Sequence, residues 1–216
     1  MSGVPTEPYA AQAARWPASG RHILAHFDAA TVVVYQAYKP SIARYALEHG
    51  RFGGPEFGFG RMSWIKPNFL WMMYRSSWAS AEGQEMVLGL RIARTFFDGI
   101  LAQAVPSSFD PDQHSTREEW QQAVARSEVR LQWDPDHDPT GAKLERRAIQ
   151  LGLRGNTLRE FATTELIEVI DMTPLAAAQR EYARREHWAS LRTPTEGVYV
   201  PEAVGAAAAV RLDKPS

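Results

Sequence analysis

Apolar positions along the chain follow two different periods, and the switches between them mark the expected elements. Thr31-Val32-Val33-Val34-Tyr35 is an unbroken β-branched run ending in an aromatic, the composition of a buried strand. It gives way to Gln36-Ala37-Tyr38-Lys39-Pro40, whose polar side chains then emerge at the carboxyl end of the strand, where mixed sheets often hold ligands. From Ser41 to His49 the spacing turns helical, with Ile42, Tyr45 and Ala46 on one face and Gly50 as the stop. Residues 86–92, 129–133, 147–153 and 165–171 read as further strands. Residues 95–104 read as a helix that buries Phe96, Phe97, Ile100 and Leu101, and Thr116 caps a short helix carrying Trp120. A short helix or turn is expected over 157–163, and a final helix from Thr173-Pro174 to about Trp188. Together these predict an α+β fold in a single domain over residues 16–192, a mixed, mostly antiparallel sheet of five to six strands flanked by helices. Residues 1–15 are expected to form an irregular arm and 193–216 an extended or disordered tail.

One stretch does not fit a plain amphipathic element. Residues 61–78 hold Trp64, Trp71 and Trp78, three of the seven tryptophans, among Arg61, Lys66 and Arg75. Such a mixture is costly to bury unless the cations find partners. Pro67 suits the first turn of a helix, so a helix is expected over 67–75, with Trp64 and Lys66 just ahead of it. Trp71, Tyr74 and Trp78 then share a face that either packs into the core or serves as a stacking platform. A cation beside free N–H groups at a helix N-terminus is an arrangement that holds phosphate, so the stretch reads as an anion or nucleotide pocket. The glycine-rich loop over 53–60 matches no dinucleotide fingerprint and reads as a mobile flap or a connector.

Composition narrows the chemistry. The 216 residues are 44% hydrophobic and carry a formal net charge of -1, so no global basic field is present and any nucleic-acid contact needs a local patch. Cysteine is absent, which excludes disulfides, thiolate zinc sites and a cysteine nucleophile. No apolar run reaches the ~20 residues that span a bilayer and no secretory leader is visible, so a cytoplasmic protein without membrane contact is expected. His22 and His26 are four apart, a metal spacing on a helix, but no third ligand is in view. Asp134, Asp136 and Asp138 with His137 cluster around two prolines, which favours a turn over a cation site, and no metal is expected.

The segments at residues 16–24, 33–43 and 61–72 resemble the signatures of an uncharacterised family of microbial and fungal proteins, a domain of unknown function, over about residues 8–190. More distantly, a strand with a polar and aromatic end, a helix closed by glycine, an aromatic middle segment and a late strand with a glutamate are similar to the ADP-ribosyltransferase superfamily. That resemblance implies a split sheet and an enzyme that cleaves NAD and transfers ADP-ribose to a nucleic-acid or protein acceptor. Cleavage of the nicotinamide–ribose bond develops positive charge on the ribose, which a carboxylate stabilises. The resemblance puts Glu165 in that role with Glu168 in reserve, and adds Gln36 and Tyr38 at the reacting end. Tyr35, Trp64 and Trp71 would stack the rings, while Arg61, Lys66 and Arg75 would meet the pyrophosphate. The alternative is a module that binds a nucleotide or single-stranded nucleic acid without catalysis.

Overall fold

A computed structural model describes residues 3–214. In chain order it contains β1 (Thr6–Pro8), α1 (Tyr9–Ala13), β2 (Gly20–Arg21), β3 (Ile23–Phe27), β4 (Thr31–Tyr38), α2 (Pro40–His49), β5 (Ser63–Ile65) and α3 (Phe69–Ser76). There follow β6 (Met86–Ala93), α4 (Arg94–Ala102), β7 (Val105–Pro106), α5 (Arg117–Arg126), β8 (Val129–His137), β9 (Lys143–Leu153) and α6 (Gly155–Ala162). The chain ends with β10 (Leu166–Asp171), α7 (Thr173–Gln179), β11 (Arg192–Pro194), β12 (Gly197–Tyr199) and α8 (Ala206–Ala209). One sheet has the order β10-β6-β4-β3-β12, a second runs β2-β9-β8-β7 with β5 also on β9, and β1 pairs with β11. Most pairings are antiparallel, and the fold is the expected α+β single domain.

β4 shows why its sequence is so uniformly apolar. Val32 and Val34 face one core with Leu90, Ile92, Leu131, Leu151 and Phe97, while Val33 and Tyr35 face a second core with Leu70, Met73, Val87 and Met172. A strand buried on both faces has no wet side to alternate with. The two five-stranded sheets meet at a single bridge, where Tyr35 N–H donates to the Lys66 carbonyl at 2.6 Å and Lys66 N–H donates back at 3.1 Å. β4 thus leaves β3 after Val33 and engages the chain just beyond β5, which opens a gap at its carboxyl end.

Several local expectations change. Within the expected irregular arm, whose first two residues lie outside the described ones, β1 and α1 form and pack on β11, and buried Gln12 bonds Thr193 and Pro194. The C-terminal segment joins the fold through β11, β12 and α8. Pro67 does not begin the helix, because Asn68 is its N-cap and accepts a hydrogen bond from Trp71 N–H at 2.6 Å. The loop over 53–60 is tied to the core through Phe57, which stacks on Phe52 at 4.8 Å and so acts as a connector. Asp134 and Asp136 lie in β8, which runs on where a turn was expected. The final helix stops at Gln179, and short 3-10 turns at Arg180–Ala183 and Arg185–His187 follow. His22 and His26 lie on extended chain rather than a helix, and His26 Nδ1 bonds the Thr195 carbonyl. Among the described residues no helix is long and apolar enough to cross a membrane.

Candidate functional site

The gap beside the carboxyl end of β4 is a pocket of about 180 Å³ lined by Gln36, Tyr38, Arg61, Ser63, Trp64, Lys66, Met72 and Gln84, among others. Larger clefts exist, including one of about 340 Å³ between α3 and the segment after β8, but none gathers as many unengaged cations. Lys66 is the centre of the pocket's chemistry. It is only 7% exposed, no carboxylate among the described residues forms an ion pair with its amine, and none of their groups hydrogen-bonds Nζ. Burial lowers its pKa to about 8, the Arg75 charge pushes in the same direction, and Asp134 opposes both from a distance. Asp134 itself is held by Gln132 Nε2 at 2.8 Å and Gln150 Nε2 at 2.7 Å. β5 runs Ser63↔Leu153 to Ile65↔Leu151 against β9, and Lys66 follows directly at the end of that ladder, where it bridges to Tyr35.

The wall of the pocket is a closed hydrogen-bonded ring. Gln36 Nε2 donates to Ser63 Oγ at 2.7 Å, Ser63 Oγ and Tyr38 Oη lie 2.8 Å apart, and Tyr38 O–H donates to Gln36 Oε1 at 3.2 Å. The second Gln36 N–H is used by the Trp64 carbonyl at 3.1 Å. Burial raises the Tyr38 phenol to about 12, against smaller opposing effects of Ser63, Arg61 and Gln36. Gln36 and Tyr38 therefore spend their polar groups on each other and on β5. They shape the site and carry no free donor of the kind expected for the reacting end. Trp64 lies half-buried over Gly152, where a Cβ would stand 3.0 Å from the indole, so only glycine lets the ring approach β9 this closely. Arg61 is exposed and makes no ion pair among the described residues.

The remaining expected site residues lie elsewhere. Tyr35 is fully buried in the second core against Phe69, and its contribution to the site is the backbone bridge that holds Lys66. Trp71 is buried in a stack with Tyr74 and His137, at centroid distances of 5.4 and 5.2 Å, and does not line the pocket. Arg75 is exposed in the last turn of α3 and acts on Lys66 through its field. Glu165 precedes β10 at the far end of the sheet. Leu166 pairs with Ile92 whereas Tyr38 pairs with Met86, six residues away along β6, or about 20 Å. Glu168 pairs with Arg91 at 2.9 Å. A bulge between Leu166 and Glu168 turns Ile167 outward, 57% exposed, and breaks the alternation expected for this strand.

The α3 N-terminus, expected to receive a phosphate, is already occupied by a carboxyl group. Glu196, from the segment between β11 and β12, accepts the Phe69 N–H at 2.8 Å and the Asn68 side-chain N–H at 3.3 Å. Burial drives its pKa well above the usual carboxylate range, and the Phe69 N–H opposes this only in part, so the carboxyl is held toward its neutral form. Lys66 is thus left to attract an anion without help from that helix end. The carboxylates of the acidic cluster are also engaged: Asp136 by Arg146 at 2.6 Å and Asp138 by Thr140 and Arg185. Among the described residues no group of three metal-type side chains converges.

Ser63, Gln84 and Met72 line the pocket without a signal in the sequence: β5 is only three residues long, too short for its alternation of buried Ser63 and Ile65 with half-buried Trp64 to announce a strand. A search of curated proteins finds no match. A family model described as "Domain of unknown function (DUF4291)" matches residues 22–199, a span that contains β4, β5, α3 and every residue lining the pocket. The chain belongs to that family.

Proposed function

We propose that this pocket binds a nucleotide-class ligand, with a phosphate against Lys66 and Arg61 and a flat ring against Trp64. The observation that carries this reading is the buried, unpaired Lys66 opening into a space whose described lining residues include no carboxylate. An unpaired buried cation is costly, and an anionic ligand removes that cost. At about 180 Å³ the pocket takes a phosphate or one ring, and the rest of the ligand extends past Arg61 toward Arg75. We place this binding in the cytoplasm, where nucleotides are abundant. Tryptophan fluorescence and calorimetry with AMP, ATP, NAD and a short single-stranded oligonucleotide test it. The expected result is quenching by the small ligands, with a modest salt dependence, and its loss in Lys66→Met. A steep salt dependence with the oligonucleotide alone would move the reading to nucleic acid. No response to any phosphate ligand would sink it.

NAD cleavage with transfer of ADP-ribose to a nucleic-acid or protein acceptor is the second reading. It is supported by one observation: Asp134 is a carboxylate within electrostatic reach of Lys66. On this reading Asp134, not Glu165, steadies the charge on the ribose. Release of nicotinamide from labelled NAD is then lost in Asp134→Asn and kept in Glu165→Ala.

A further inference from the structure

Lys66 differs from the other three lysines of the chain. Lys39, Lys143 and Lys214 are exposed, and Lys39 is ion-paired with Glu56. Lys66 is buried without a counterion, its backbone is clamped to Tyr35, and its side chain opens into a polar pocket rather than an apolar one. The Arg75 charge resists protonation of the amine, and Arg61 in the same pocket lining adds positive charge that draws anions in. Trp64 and Met72 cover the site with apolar surface, and the hydroxyls of Ser63 and Tyr38 lie in the same wall. This combination of desolvation, neighbouring cations and a cavity is what turns a lysine into a nucleophile.

We propose that Lys66 captures the carbonyl carbon of a phosphate-bearing aldehyde as an imine. The inference rests on the phosphate-binding reading of this pocket and adds a covalent step to it. The neutral amine attacks the carbonyl carbon and forms the C–N bond, and the carbonyl oxygen takes up a proton. Nitrogen then loses its remaining protons as the hydroxyl leaves as water, giving a C=N bond, and the same water reverses the step. No oxidant or reductant is needed. The flat ring of such an aldehyde rests on Trp64 and its phosphate on Arg61. A Lys66 pKa of about 8 leaves an appreciable neutral fraction near neutrality.

The test treats the whole protein at pH 8 with pyridoxal 5'-phosphate as a probe, reduces with borohydride, and maps the four lysines by mass spectrometry. The expected result is labelling of Lys66 at least tenfold faster than Lys39, Lys143 or Lys214, although those three are the accessible ones. Pyridoxal without the phosphate should label Lys66 several-fold more slowly. Saturating AMP should protect Lys66, and Lys66→Arg should remove the fast label while Lys39, Lys143 and Lys214 keep their own slow rates. Equal labelling of all four lysines, or preference for an exposed one, overturns the proposal. If AMP still binds in that case, the binding reading stands alone. If Lys66 labels fast with or without the probe's phosphate and AMP gives no protection, the nucleophile stands and the phosphate reading falls.

Discussion

Two buried cations in this protein have opposite surroundings. Arg146 is 6% exposed and fully engaged: Nη2 and Nε contact Asp136 at 2.6 and 2.8 Å, Nη1 donates to the Pro17 carbonyl at 2.7 Å, and the guanidinium lies over Trp16. Lys66 is buried to the same degree with none of these. A planar guanidinium with five donors lets the fold satisfy Arg146 internally, whereas a point-charge ammonium left open to a cavity asks for something from outside. One cation ties the N-terminal segment to β8 and β9. The other is maintained against its own desolvation cost.

The sharpest way to break the comparison is to remove one cation at a time. Arg146→Met leaves Asp136 buried and unpaired and should cost about 3–5 kcal/mol in urea unfolding, with ligand affinity little changed in whatever stays folded. Lys66→Met should do the reverse, raising stability at pH 7 by roughly 1–3 kcal/mol while abolishing anion binding. The sign follows from proton counting. The folded-state pKa of about 8 lies below the ordinary lysine value, so between about pH 8 and ~10.5 the unfolded chain holds a proton that the folded chain has lost. Wild-type stability therefore gains with rising pH across that window relative to Lys66→Met, and the difference between the two closes at its upper end. A wild type that is more stable than Lys66→Met at pH 7 would mean that Lys66 has a partner after all.

Trp64 sharpens the functional half at smaller magnitude. Its indole should contribute about 1–3 kcal/mol of ring stacking, so Trp64→Ala weakens AMP by roughly tenfold and removes most of the fluorescence change. Stability should fall little, because the ring is only half-buried. Tyr38→Phe separates wall from ligand contact. It opens the Gln36–Ser63 ring, so it should cost about 1 kcal/mol of stability and leave affinity within a few-fold.

The contrast also explains what the sequence disclosed. β4 was legible because an apolar run with no polar interruption admits few other readings, and Arg61, Trp64 and Lys66 because they are neighbours in the chain. β5 was missed: three residues bearing a serine and a tryptophan carry too short a period, and only pairing with β9 makes them a strand. The occupant of the α3 N-terminus was illegible for another reason. Glu196 is 127 residues from Phe69, in a segment whose composition reads as tail, and nothing local announces that the helix end is already filled. Long-range strand order is likewise invisible locally, which is why an acid on a late strand looked equivalent to one beside the pocket.

Glu165 is where that lesson is tested with the smallest expected effect. It lies about 20 Å from Tyr38 along the sheet, beyond a bulge, and is half-buried where its backbone N–H bonds Glu160. At ~0.1 M salt the Debye length is about 10 Å, so its charge is largely screened from Lys66. Glu165→Ala should change nucleotide affinity, Lys66 labelling and any NAD cleavage by less than about twofold, and stability by less than about 0.5 kcal/mol. Asp134→Asn in the same assays is the control, because Asp134 does reach Lys66 and its loss should lower the amine's pKa further. A large loss of activity in Glu165→Ala with Asp134→Asn silent would require the two ends of the sheet to work as one site, and the distinction between the filled cation and the waiting one would no longer locate the chemistry.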